Sequence, residues 1–86
     1  MPTISIFYGI VIQMFWNEHA PPHFHARYGE LEGSISIKEL KIIEGNLPKN
    51  AVNLILKWAE LYQKELLEDW ELCDKRQTPK KINPLI

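Results

Sequence analysis

Hydrophobic periodicity changes once along this chain, at Pro48, and that change limits the fold more than any other feature. Ahead of it side chains alternate in twos; beyond it apolar residues recur every three or four positions. Strand-forming and helix-forming halves segregated in this way describe an α+β domain. The 86 residues form a single domain, 1–86. A chain of this size buries only about 60% of its unfolded surface, so its core is thin. Apolar content of 45% and charged content of 24% place it among globular rather than disordered chains.

In the first half, Ile4–Tyr8 and Ile10–Trp16 are rich in β-branched and aromatic residues and read as two strands separated by Gly9. Asn17–Pro22 is a loop. Its two prolines hold their own φ and push Ala20 and Pro21 towards extended backbone, which stiffens it. His23–Tyr28 alternates cleanly, with Phe24, Ala26 and Tyr28 on one face and His23, His25 and Arg27 on the other. Gly29-Glu30 is a turn. Leu31, Gly33, Ile35 and Ile37 then share a face, with Glu32, Ser34 and Ser36 opposite; Gly33 marks a bulge or the close approach of another group. Lys41-Ile42-Ile43 adds a short last strand. The expectation is an antiparallel sheet of three to five strands over about 4–43.

From Pro48 onward, Ala51, Leu54, Ile55, Trp58, Ala59, Tyr62, Leu66, Trp70 and Cys73 form an amphipathic stripe. Pro48 suits the first helical turn, and Asn46 is positioned to cap it. One long C-terminal helix over about 48–76 would measure roughly 40 Å, against a domain about 30 Å across. Either the helix breaks near Gln63-Lys64, or its end projects and buries Trp70 and Leu72 against a partner protein or a second copy. The projecting end is the favoured expectation, with Trp70 and Leu72 as interface anchors. Trp58 belongs to the core. In the tail, 77–86, Lys80 and Lys81 join Lys75 and Arg76 as cations complementing the helix C-terminus, with phosphate binding as the alternative role.

Several function classes fall away. A net charge of −1 does not bind nucleic acid through bulk positive charge. The single cysteine, Cys73, rules out an internal disulfide and suits a reducing cytoplasm. The apolar run Ile4–Trp16 lacks a basic n-region and a cleavage site, and is too short to cross a bilayer. The expectation is a cytoplasmic protein with no membrane association. No phosphate-cradling glycine loop or dinucleotide fingerprint is present.

The chemistry is concentrated in His19, His23 and His25. Two positions apart on a strand, His23 and His25 project from one face roughly 7 Å apart, and His19 stands in the stiff loop beside Glu18. Three readings fit. As a metal site, His19, His23 and His25 would hold one zinc or another divalent transition metal, with a position left for an activated water. As a metal-free RNA-cleaving site, His23 and His25 would serve as base and acid because imidazole titrates near neutral pH, and Arg27 would face the phosphate. As a structural cluster, the histidines would pin the Pro-Pro loop and leave the surface to a partner. Trp16, next to the cluster, could stack on a base or close a pocket.

Asn17-Glu18-His19-Ala20-Pro21-Pro22-His23-Phe24-His25 resembles the signature of the 4160 domain-of-unknown-function family of short bacterial proteins. Its core is Asn, an acidic residue, His, any residue, Pro-Pro, His, any residue, His. The similarity extends to Met1-Pro2-Thr3-Ile4, Gly45-x-Leu47-Pro48, Trp58, Trp70 and Ile82-x-Pro84-Leu85. Glu18 stands where Asp is frequent, and Gly33 where Ala is frequent. The resemblance implies one half of a two-gene unit, commonly beside a protein of the 2442 domain-of-unknown-function family. That is the arrangement of a toxin–antitoxin-like pair or of a regulator with its partner. It assigns no activity to any residue. The functional surface expected is the open sheet face of His23, His25 and Arg27, serving a protein partner or RNA. A metal-dependent hydrolase and a non-catalytic interaction module are the alternatives.

Overall fold

A computed structural model describes residues 2–86; Met1, part of the amino-terminal similarity, lies outside them. Strand β1 (Thr3–Phe7) turns into β2 (Ile10–Gln13) through Tyr8 and Gly9, whose φ values are both positive, 50° and 77°. This mirror-image turn matches the twist of a two-stranded hairpin. Strands β3 (His23–Tyr28), β4 (Leu31–Ser36) and β5 (Lys41–Gly45) follow, giving a five-stranded antiparallel meander in the order β1-β2-β3-β4-β5. The expected α+β architecture is what the chain adopts. Strand β2 ends at Gln13, short of Trp16, because Phe15 and Trp16 leave the ladder to begin the loop.

Register sorts the two faces. Ile12 pairs with Ala26, Ala26 with Gly33, and Phe24 with Ile35, so these side chains line the core face, where all of them are buried. On the opposite face a row runs Gln13–His25–Ser34–Glu44, with His23 beside Ser36 at one end and Arg27 beside Val11 and Glu32 at the other. Gly33 marks a close approach rather than a bulge of its own. The ladder to β5 shifts register just beyond it, and a Cβ there would come within 2.9 Å of the Leu47 side chain.

Two helices cover the core face where one long helix was expected. Helix α1 (Lys49–Leu61) and helix α2 (Gln63–Asp74) meet at Tyr62, whose backbone leaves helical geometry at φ −117°, ψ 26°. A straight helix over the same residues would run about 39 Å, and the longest dimension of the molecule is 33 Å. The projecting end is thereby corrected: the chain bends instead, one residue before Gln63. Gln63 secures the bend by donating from Nε2 to the Ile37 carbonyl at 2.7 Å. The helix entry differs too. Pro48 is the N-cap, in extended backbone and without a side-chain cap, while the Asn46 N–H is taken by the Glu32 carbonyl at 3.0 Å.

Trp58 is the centre of the core, fully buried, with ring centroids 5.2 Å from Phe7 and 5.7 Å from Phe24. Removing such a side chain costs about 3–5 kcal/mol. Its indole N–H donates to the Asn83 carbonyl at 2.8 Å, which fastens the tail. The Ile82 N–H also donates to the Ile4 carbonyl at 2.8 Å, so the tail covers an edge of the sheet that would otherwise offer unpaired backbone.

Candidate functional site

The site forms where the Pro-Pro loop enters β3. The Ala20-Pro21 peptide is cis, and the Pro22 carbonyl accepts from Ile37 N–H at 3.0 Å, so the loop is anchored to the end of β4. His23 and His25 then project from the same face of β3 with ring centroids 5.2 Å apart. Trp70 of α2 lies against His23 at 5.2 Å, and Phe15 against His25 at 4.5 Å. Both histidines are half-buried.

One carboxylate draws the two rings together. Glu18 Oε1 lies 2.5 Å from His25 Nε2 and 3.4 Å from His23 Nε2. The other nitrogen of each ring is already engaged. His23 Nδ1 is 2.8 Å from the Pro21 carbonyl, and a carbonyl only accepts, so Nδ1 carries the proton. His25 Nδ1 lies 3.4 Å from Ser34 Oγ, a hydroxyl able to donate or accept and so to suit either tautomer. In neutral His23, the Nε2 lone pair therefore faces the lone pairs of Glu18. Two acceptors so placed form a pair that a cation between them would bridge.

Glu18, His23 and His25 each present one ligand atom, and the three atoms lie within 4.8 Å of one another. Two imidazoles and a carboxylate form a donor set suited to zinc or iron(II). Around a tetrahedral ion with bonds near 2.0–2.1 Å, neighbouring donors sit about 3.4 Å apart. The His23–Glu18 separation already has this value, and the His25–Glu18 edge would widen by roughly 0.9 Å on binding.

The sequence-derived residues divide unevenly. His23 and His25 are brought together; His19 is exposed and outside the cluster, and Glu18 stands where His19 was expected. Arg27 is exposed and, four residues along the strand from His23, stands roughly 13 Å from it. It shares with His25 and Ser34 a cleft of about 420 Å³ that is bounded also by Gln13, Glu32 and Glu44 and leaves out His23. Trp70 and Leu72 are half-buried, Trp70 facing His23. Trp16 is half-exposed and donates from Nε1 to the Gln77 carbonyl at 3.1 Å.

Two ionisable groups of α2 are shifted nearby. Burial, and next the charges of Asp69 and Glu18, push the Cys73 thiol up to about 11. Asp69, almost wholly buried, is raised above the ordinary carboxyl range mainly by desolvation, although its Oδ1 accepts from Lys80 N–H at 2.8 Å.

The roles of Glu18 and Ser34 were missed from sequence. An acidic residue beside His19 was visible, but which of two neighbouring loop residues turns inward depends on backbone. Asn17 takes φ +59° and sets that direction.

Comparison with known proteins finds that a family model described as Domain of unknown function (DUF4160) matches residues 9–71. No curated protein and no solved structure matches. Among the described residues, no helix is long and apolar enough to cross a membrane.

Proposed function

The chain belongs to the DUF4160 family, and we propose that it binds one divalent transition-metal ion through Glu18, His23 and His25 and uses a metal-bound water for hydrolysis. One observation carries the reading. Both histidines have Nδ1 engaged, by the Pro21 carbonyl and Ser34 Oγ, while both Nε2 atoms converge on Glu18. Metal-ligating histidines are oriented in this way by a partner on the second ring nitrogen. With three protein donors such an ion would keep a position open for water, and the chemistry it would supply there is hydrolytic.

The test is a titration of tag-free, chelator-treated protein with Zn²⁺ and Co²⁺. One ion per chain is expected, with Glu18→Gln and His23→Ala each weakening binding by at least about 100-fold. No binding by the wild type, or binding indifferent to both substitutions, overturns the proposal.

The two-gene setting implied by the family resemblance belongs to the same proposal: the protein acts in a toxin–antitoxin-like or regulatory pair with a protein partner. Charge favours a protein over RNA. Arg27 stands directly opposite Glu32 and shares its cleft with Glu44, so two carboxylates offset the cation expected to face a phosphate there. Co-purification of the neighbouring gene's product with the tagged protein supports the pairing; its absence from a stoichiometric complex removes it.

A further inference from the structure

Resting on the proposed metal site, we infer that Arg76 is a positioning residue for Glu18, linking the carboxyl end of α2 to the loop that carries this ligand. The end of α2 is closed by a pair of backbone hydrogen bonds, Gln77 N–H to the Leu72 carbonyl at 2.8 Å and Arg76 N–H to the Cys73 carbonyl at 3.0 Å. In this helix-ending motif the residue in left-handed backbone is usually glycine. Here it is Arg76, at φ +59°. Local backbone preference therefore argues against arginine at this position, and its side chain offers the compensating contact.

That side chain reaches Asn17, next to Glu18 in the chain. With the Asn17 amide oxygen turned towards it, the guanidinium donates from Nη2 at 2.7 Å and from Nε at 3.2 Å. A two-pronged contact of this kind holds orientation as well as distance. Asn17 is itself in left-handed backbone at φ +59°, the conformation that turns Glu18 towards His23 and His25. A second fastener joins the same two segments one residue away on each side, from Trp16 Nε1 to the Gln77 carbonyl. Loop and helix end are thus joined twice, immediately ahead of the carboxylate. Arg76 acts on the ion only through the loop.

Charge and position give opposite signs, and this makes the idea testable. Removing a cation near a cation site should, by charge alone, strengthen metal binding. Loss of positioning should weaken it, in the range of about 10- to 100-fold found for residues that orient ligands. The variants are Arg76→Gly, which suits the left-handed backbone, and Lys75→Ala, which removes a neighbouring cation as a control. Co²⁺ affinity and its visible absorption are read alongside the melting temperature of the metal-free protein.

The expected result is that Arg76→Gly melts at or above the wild-type temperature yet binds Co²⁺ at least about tenfold more weakly, with an altered visible spectrum. Lys75→Ala binds as the wild type does. Unchanged or tighter binding by Arg76→Gly overturns the inference, and so does a loss that merely follows a lowered melting temperature. If the wild type itself takes up no Co²⁺, the metal site falls first and this inference with it. That outcome is distinct from a wild type that binds and an Arg76→Gly variant that binds equally.

Discussion

His23 Nε2 stands 3.4 Å from Glu18 Oε1 while His23 Nδ1 is held by the Pro21 carbonyl. With Nδ1 so held, Nε2 of a neutral His23 has no proton to offer the carboxylate. At the proposed metal site an ion would take the place between them, in competition with protons. Metal uptake should therefore release protons and weaken as the solution is acidified. Proton release is measured by titrating Zn²⁺ in weakly buffered solution with a pH indicator. Zn²⁺ uptake with no proton release between pH 6 and 8 would count against convergence of these ligands on the ion.

Cys73 should be chemically silent in the folded protein. With its thiol at about 11 and its side chain buried, only a small fraction is thiolate at pH 8. Reaction with a thiol reagent should be at least about 100-fold slower than in urea-unfolded protein. Because the folded value lies above that of the free thiol, the associated stability is fully present below pH 9 and is lost as pH rises towards 11. Fast modification of native protein at pH 8 would contradict this placement.

Asp69 has the same sign on the acid side. Its folded value is raised, so its contribution favours the folded state below the ordinary carboxyl range and fades as pH rises through the folded value. Asp69→Asn keeps an oxygen for the Lys80 N–H and removes the buried charge. It should melt at or above the wild type at pH 7, with the advantage shrinking at pH 4. An advantage equal at both pH values would show that Asp69 titrates normally.

Gly45 and Gly33 face each other across β4 and β5 and should respond differently to alanine. At Gly45, φ is +95° and a Cβ would sit 2.3 Å from the Glu32 carbonyl oxygen, where only backbone can move. Gly45→Ala should cost roughly 2–4 kcal/mol in urea unfolding. At Gly33 the closest atom is the end of the Leu47 side chain at 2.9 Å, which can turn aside, while the Glu44 carbonyl oxygen at 3.1 Å must give by only a few tenths of an ångström, so Gly33→Ala should cost less than Gly45→Ala, about 1–2 kcal/mol. Equal costs would mean that the β4–β5 approach is looser than described.

The sequence by itself determined the faces of the sheet and the centre of the core, though not its margins, where Tyr28 and Leu31 are exposed and Ile82 of the tail is buried. Alternation in His23–Tyr28 and the three-to-four spacing after Pro48 are properties of backbone geometry, so Phe24, Ala26 and Trp58 could be assigned inward without knowing their neighbours. It also showed that chemistry gathers at His23 and His25. Tertiary structure alone decided the rest. The apolar stripe continues unbroken through Tyr62; its length against the domain could raise a break near Gln63-Lys64, but only the folded chain shows that the bend, and not a projecting end, is what forms. The choice of Glu18 over His19 depends on a loop whose direction is set at Asn17 and held from Arg76, far along the chain. Periodicity reports what a residue does within its own element. A loop side chain takes its direction from contacts distant in sequence, and those exist only once the chain has folded.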